Sequence, residues 1–395
     1  MAAPAPFEEP PTGFSLVLGG PLYQMLRWAH LTGPTLELLR RWIVISVVLC
    51  WVPLAVLSLA QAHFLGGAKL SFFHDIETHV RFLVSLPVLI LAEMIVHQRL
   101  RSAVKSFVER RVITPDELPK FYAAINSAMR MRNSVIVEIA LLVFVFSGGA
   151  WIWRHRVAID VTSWYASAQG GKMHFTMAGY WFAFISVPIF QFILLRWYIR
   201  MLIWFYFLLR VSRLKLHLLP AHPDRAGGLG FVGKSSFAFA PLLFAQGALL
   251  GGQIADRIFY NGQTLLAFKM TIVGLVVFLV GVVLAPLFLF TPKLARAKRE
   301  GLAEYGAFAS LYVMDFDQKW LRSKVNQEQL LGTGDIQSLA DLGNSFSFVR
   351  EMREVPFATD DVVRLLVATV IPIVPLLLTI MPLEQLLTEG IKIIF

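Results

Sequence analysis

The sequence predicts an all-α fold: a polytopic transmembrane helical bundle of about seven spans with a cytoplasmic helical hairpin. Three observations predict it. Hydrophobic residues fill 56% of the 395 positions and charged residues only 16%, where a soluble domain carries about 25% charged residues; the mean hydropathy is +0.63. The apolar residues gather in blocks of about 20, the length that crosses a hydrocarbon core. The basic residues behind the net charge of +10 fall between those blocks, where cytoplasmic loops hold them.

The same placement argues against nucleic-acid binding. A pI near 9.8 raises that reading for a soluble protein, but here the excess fits the orientation rule and an anionic inner leaflet. The expected partners are membrane lipids and further copies of the chain, with no nucleic acid and no cofactor. The single cysteine, Cys50, lies inside an apolar block. It has no intramolecular disulfide partner and reads as a small buried hydrophobe.

Residues 1–41 read as a cytoplasmic and interfacial N-terminal segment. Residues 1–13 lack a basic n-region and carry early prolines, so a cleavable signal peptide is not expected and the first span serves as an uncleaved anchor. Trp28 suits the headgroup level, and Arg40-Arg41 mark the inner face. Residues 42–292 hold the first six spans, about 42–62, 81–96, 134–153, 179–209, 237–255 and 268–290. Between the second and third lies the loop 99–133, with eight basic residues against three acids, which places it and the N-terminus in the cytoplasm. In that loop Thr114-Pro115-Asp116-Glu117 is a helix start, with a capping Thr, Pro at the first position and acids in the first turn. The fourth block, 179–209, is too long for one span at about 1.5 Å per residue. The expectation is one long helix with an arginine-bearing inner end; two half-helices or two full spans are the alternatives. Residues 293–359 read as a cytoplasmic helical hairpin. Tyr305, Phe308, Tyr312 and Phe316 recur at helical spacing on its first arm. Ile336, Leu339, Leu342, Phe346, Val349 and Met352 do so on its second, which starts at the capping residue Asp335. Residues 360–395 hold the last span, about 362–381 with Pro372 and Pro375 inside it, and a short outer tail. About seven spans put every strongly basic loop on one side.

Several constellations are candidates for chemistry. The loop His222-Pro223-Asp224-Arg225-Ala226-Gly227-Gly228-Leu229-Gly230-Phe231 brings His222, Asp224 and Arg225 together among glycines. These three can bind an anion or move a proton; alternatively, Asp224 and Arg225 pair with neighbours and cap the fifth span. The run does not match a phosphate-binding loop. Arg196, Arg200 and Arg210 fall within about 80° of one another on an ideal helix. Charges at membrane depth face a cavity or a partner, so a basic face can line an anion route, and snorkelling is the alternative. On the fifth span Gln246 and Gln253 share a face with Asp256 close by. Gly247 with Gly251, and Ala248 with Gly252, form small-residue pairs that permit close helix approach. That face either packs or lines a pathway. Glu93 and Glu138 lie near the inner ends of their spans and are expected to pair with Arg196 or Arg225. His74, Asp75, Glu77 and His79 lack metal-motif spacing, so no metal site is expected; Asp75 or Glu77 should pair with Arg81, Arg154 or Arg156 instead. No catalytic residue is assigned.

Two segments carry a resemblance. His222 to Phe231, together with Gly334-Asp335-Ile336-Gln337-Ser338-Leu339-Ala340-Asp341-Leu342 running on through Arg353, Val355, Pro356 and Phe357, resemble segments of uncharacterised polytopic bacterial membrane proteins. The resemblance implies the bacterial cytoplasmic membrane and implies no activity. Function is therefore expected from the residues alone. The first expectation is an oligomeric, anion-favouring channel or facilitator. The others are a sensor or assembly protein acting through 293–359, and a lipid-modifying enzyme at the cytoplasmic face centred on His222, Asp224 and Arg225.

Overall fold

The computed structural model describes residues 14–21, 23–24, 39–65, 72–156, 164–169, 172–322 and 334–380. The expectations for residues 1–13, for Trp28 and for the outer tail lie outside the described residues.

Helix α1 (Leu39–Leu65) opens the bundle. Helix α2 (Ile76–Glu109) runs back, with a π turn at Val80–Ser85. Helix α3 (Leu118–Arg132) follows at the basic end, after the start at Pro115–Glu117 that the sequence predicts. Helix α4 (Val135–Arg156) leads to the opposite end and to an antiparallel hairpin of β1 (Ala166–Gln169) and β2 (Lys172–Phe175). Helix α5 (Met177–Ser212) is one unbroken helical run of 36 residues with a π turn at Phe182–Ser186. At about 1.5 Å per residue it is longer than the ~30 Å hydrocarbon core, so the block read as too long for one span is a single long helix.

The loop after α5 enters helix α6 (Gly230–Asn261). A turn through Gly262, whose φ is +64°, leads to helix α7 (Leu265–Arg322), 58 residues long. The sequence reads α7 as two elements, a span and the first arm of a hairpin. Its prolines do not divide it because Pro286 and Pro292 each sit in the first turn of a new helical stretch, Ala285–Phe290 and Thr291–Phe316, where proline removes no intrahelical bond. Helix α8 (Gly334–Arg350) packs on the far part of α7. There Tyr312 Oη donates to the Asp335 carbonyl at 3.1 Å and Trp320 Nε1 to the Asp335 carboxylate at 3.0 Å. Helix α9 (Thr359–Val370) is followed by a 3-10 stretch, Val374–Thr379.

Among the described residues, five helices are long and apolar enough to cross a membrane: Leu39–Ala60, Ile76–Glu109, Met177–Ser212, Gly230–Asn261 and Leu265–Arg322. Of the other two expected spans, α4 is a helix of 22 residues, Val135–Arg156, and Val135–Ser147 is its apolar part among the residues with described side chains. In the last, Pro372 follows the end of α9 and Pro375 starts the 3-10 stretch, so the block does not form one helix; proline lacks the N–H that would continue it.

The core runs through α2, α5 and α6, with Phe82, Phe107, Trp197, Trp204 and Phe207 at 1% exposure or less. The surface inverts the soluble pattern. Ile136 is 79% exposed and Met270 73%, with Val143, Phe144, Val277 and Phe278 beside them on α4 and α7. Apolar exposure on that scale marks a surface made for lipid or a partner, which agrees with a multi-pass membrane protein.

Close helix approach depends on the glycines of α6. A Cβ at Gly247 would strike the carbonyl oxygen of Thr369 on α9, and one at Gly251 would lie 3.3 Å from the Pro372 carbonyl. Gly252 performs the same service toward Glu77 and Val80 on α2. The small-residue face of α6 is thus a packing face on two neighbours.

Candidate functional site

A charged cluster lies between α2, α4 and α5. Glu93 sits midway along α2, Glu138 one turn into α4, and Arg196 and Arg200 one turn apart on α5, so both guanidiniums face the same seam. Arg200 Nη2 lies 2.8 Å from Glu93 Oε1. Arg196 is 3.9 Å from Glu93 and 3.4 Å from Glu138. Arg196 and Arg200 are buried, the Arg200 side chain at 4% exposure, and Glu93 and Glu138 are part-buried. Arg200 also stacks over Trp197, 4.6 Å from its ring centroid, a cation–π contact that strengthens as water is excluded.

A third arginine joins from α3. Arg132 donates through Nη1 to the carbonyl oxygens of Ser15 and Leu18. Burial first, and the nearby Arg200 charge second, lower its pKa. The segment 14–20 is thereby drawn over the cluster, and His97 Nδ1 fixes it to α2 through the Ser15 hydroxyl at 2.8 Å. Gly19 and Gly20, with φ of 143° and 90°, make the close approach possible. A Cβ on Gly19 would strike the Arg132 guanidinium, and one on Gly20 would lie 3.2 Å from Glu138 Oε1 and 3.6 Å from Arg196 Nη2. Among the described residues, three guanidiniums and two carboxylates therefore gather beneath a backbone cover.

The cluster brings together Arg196, Arg200, Glu93 and Glu138 of the sequence candidates. Arg210 does not join; it is exposed, over the Tyr206 ring. Arg225 does not join either. It lies half-exposed at the basic end and pairs with Glu351 at 3.1 Å. Arg132 and the 14–20 segment were not among the candidates. Arg132 shows in sequence only as one basic residue of a basic loop, and its contacts lie more than a hundred positions away.

The His222–Phe231 loop is a folded turn. Asp224 accepts from the N–H groups of Ala226 at 2.8 Å, Gly228 at 3.1 Å and Gly230 at 2.8 Å, the last capping the start of α6. His222 Nδ1 lies 2.8 Å from Asp224 Oδ1. Burial opposes the charged form of Asp224, but the three N–H donors and His222 outweigh it and hold the carboxyl below its ordinary value. Arg353 clasps the loop: its N–H donates to the Arg225 carbonyl at 2.7 Å and its Nη2 to the Asp224 carbonyl at 2.8 Å. Arg225, in the left-handed region at φ 53°, forms the bend. The loop and the segment around Arg353 to Phe357, which look unrelated in sequence, are one docked unit.

The polar residues of α6 have structural partners. Gln246 donates to Tyr198 Oη at 2.8 Å, and Gln253 to Glu77 Oε1 at 3.2 Å. Asp256 accepts from the N–H groups of Ile76 and Glu77, each at 2.9 Å, and so caps α2 from a distant element. Asp75 caps the same helix through Thr78 and also accepts from Trp164 Nε1 at 2.9 Å. Glu77 pairs with Arg81, as its spacing predicts; the side chains of Arg154 and Arg156 lie outside the described residues. No group of metal-ligating side chains occurs among the described residues.

The chain matches no family model, no curated protein and no solved structure. The resemblance of the two docked segments therefore identifies no family, and what stands is a multi-helix protein with five long apolar helices.

Proposed function

We propose that this chain is an oligomeric membrane transport protein, a channel or facilitator that favours anions, in the bacterial cytoplasmic membrane. The basic end, with the α7–α8 hairpin, then faces the cytoplasm. The observation that carries the reading is the buried cluster of Arg132, Arg196 and Arg200 against Glu93 and Glu138. Among the described residues, three cations against two anions leave one positive charge in a setting where charge is costly. The carbonyl oxygens of Ser15 and Leu18 now answer that charge. An entering anion can replace them, and the 14–20 segment is then the element that opens. Proteoliposome flux tests this. Wild-type protein should pass small anions in preference to cations, and Arg132→Gln, at the edge of the cluster, should weaken that preference. Folded protein that passes no small ion overturns the proposal.

A second reading has its own support. On the far part of α7, Phe308 is 60%, Leu311 62% and Met314 66% exposed, on a stretch that continues beyond the apolar span. A sensor or assembly protein would present such a face to a partner. Stable co-purification of one soluble protein, lost in Leu311→Asp, would favour it. The lipid-modifying enzyme has less to build on, since Asp224 is occupied by the fold of its own loop and Arg225 by Glu351.

A further inference from the structure

The 14–20 segment is pinned by two polar side chains from the helices beneath it, and one of the two can change charge. Arg132 grips the carbonyl oxygens of Ser15 and Leu18, and a guanidinium stays charged near neutral pH. His97 reaches the Ser15 hydroxyl from α2 at 2.8 Å. Imidazole is the side chain that gains or loses its charge between about pH 5 and 8.

The hydrogen bonds around Ser15 fix the form of that imidazole. The Ser15 oxygen accepts from the N–H of Val17 at 3.1 Å and from that of Leu18 at 2.8 Å. A hydroxyl has two acceptor lone pairs and one hydrogen. Both lone pairs are taken, so the hydrogen goes to His97 Nδ1. Nδ1 is then an acceptor, and the ring proton sits on Nε2. Water cannot take over either role, since Ser15 is 3% exposed and Val17 fully buried. A protonated His97 carries a hydrogen on Nδ1 and cannot accept. That hydrogen competes with the Val17 and Leu18 N–H groups for the same two lone pairs, and the Ser15 hydrogen loses its acceptor. A buried polar group left unpaired in this way costs free energy.

The neighbouring charges hold steady while His97 titrates. Glu93 and Arg101 lie one turn to either side of it on α2. Glu93 is paired with Arg200 of α5, Arg132 comes from α3, and Arg196 of α5 faces Glu138 of α4. The segment 14–20 itself carries no titratable side chain.

We propose that His97 is a pH-sensitive latch on the 14–20 segment. Neutral, it accepts from Ser15 and holds the segment over the arginine cluster. Protonated, it lets Ser15 go and frees the segment to lift, so the held state is present at higher pH and lost as pH falls through the histidine ionisation. The latch deepens the reading of this segment as the element that opens, and rests on that reading only for its effect on flux.

The test is hydrogen exchange of the full chain in lipid nanodiscs, read as protection factors at Val17 and Leu18 from about pH 8 to about pH 5. Wild-type protection should fall about tenfold in acid, the effect of one hydrogen bond, while protection along α5 stays level. His97→Asn, whose side-chain oxygen stands in for Nδ1 and does not titrate, should stay well protected throughout. Ser15→Ala, which removes the acceptor of both N–H groups, should be weakly protected throughout. Wild-type protection that ignores pH overturns the latch, as does an equal fall in His97→Asn. If His97→Asn does not fold, Ser15→Ala decides: an acid-induced fall of wild-type size in that variant overturns the latch. Anion flux is measured in parallel in proteoliposomes. A fall in protection without a rise in flux supports the latch and removes the segment from the transport path.

Discussion

Glu93 accepts from Arg200 and also faces Arg196, and Glu138 faces Arg196 from the other side. Removing one member of a buried pair leaves an uncompensated charge. Glu93→Gln and Glu138→Gln should therefore each destabilise the protein, Glu93→Gln by about 3 kcal/mol, read as melting of the detergent-solubilised protein. Arg200→Gln combined with Glu93→Gln should recover part of the loss. Two substitutions that leave stability and flux untouched would show the cluster to be idle. Asp224 gives a pH prediction of definite sign. Its folded pKa lies below the ordinary 3.8, so the group stabilises the loop above that value, and the contribution is lost as pH falls through the lowered folded pKa. Hydrogen-exchange protection factors at Ala226, Gly228 and Gly230 should be high at neutral pH and fall in acid below about pH 4. In Asp224→Ala the same amides should exchange quickly at every pH, with about 2–3 kcal/mol lost from the fold. The pairing of Glu93 and Glu138 with Arg196 is legible in sequence because charges at membrane depth need partners. The choice between Arg196 and Arg225 is not, since it depends on which helices touch.

At the scale of elements, α6 offers a controlled comparison. Gly247→Ala drives a methyl group into the Thr369 carbonyl of α9, whereas a Cβ at Gly274 on α7 meets nothing within 4 Å. Gly247→Ala should cost about 1–3 kcal/mol through overpacking. Gly274→Ala should be neutral or stabilising by up to about 1 kcal/mol, since alanine is the better helix former. If Gly247→Ala is as benign as Gly274→Ala, the packing role of the small-residue face is wrong. That face is readable from the spacing of Gly247 and Gly251; its partner α9 is not. The long fourth block is readable as one helix, because the inner arginines look like a helix leaving the bilayer. The continuity of α7 is hidden, because the apolar block 268–290 and the amphipathic arm after 293 differ in pattern, and nothing in that change shows that Pro286 and Pro292 sit at the starts of stacked helical stretches. The β1–β2 hairpin and the cover at 14–20 are hidden for a similar reason. Neither has strong periodicity, and the cover is held by contacts with Arg132 and His97 from far along the chain.

For the whole molecule, orientation is what makes the pieces a mechanism. The basic end gathers α3, the His222–Phe231 loop, its Arg353 clasp and the α7–α8 pair, while the opposite end holds the β hairpin, the Asp75 and Asp256 caps and the Gly262 turn. In the proposed orientation, which follows the positive-inside rule, the first set faces the cytoplasm. Helix α6 runs once between them, so Arg225 and Gln263, both exposed, must face opposite compartments if α6 crosses the membrane. The chain is suited to a labelling test because its one cysteine, Cys50, is fully buried. With Cys50→Ala as background, Arg225→Cys should react with an impermeant maleimide only in inverted vesicles, and Gln263→Cys only in intact cells. Labelling of both from the same side would remove the α6 crossing. With that crossing would go the view of the arginine cluster as an inner vestibule rather than a surface ion-pair network.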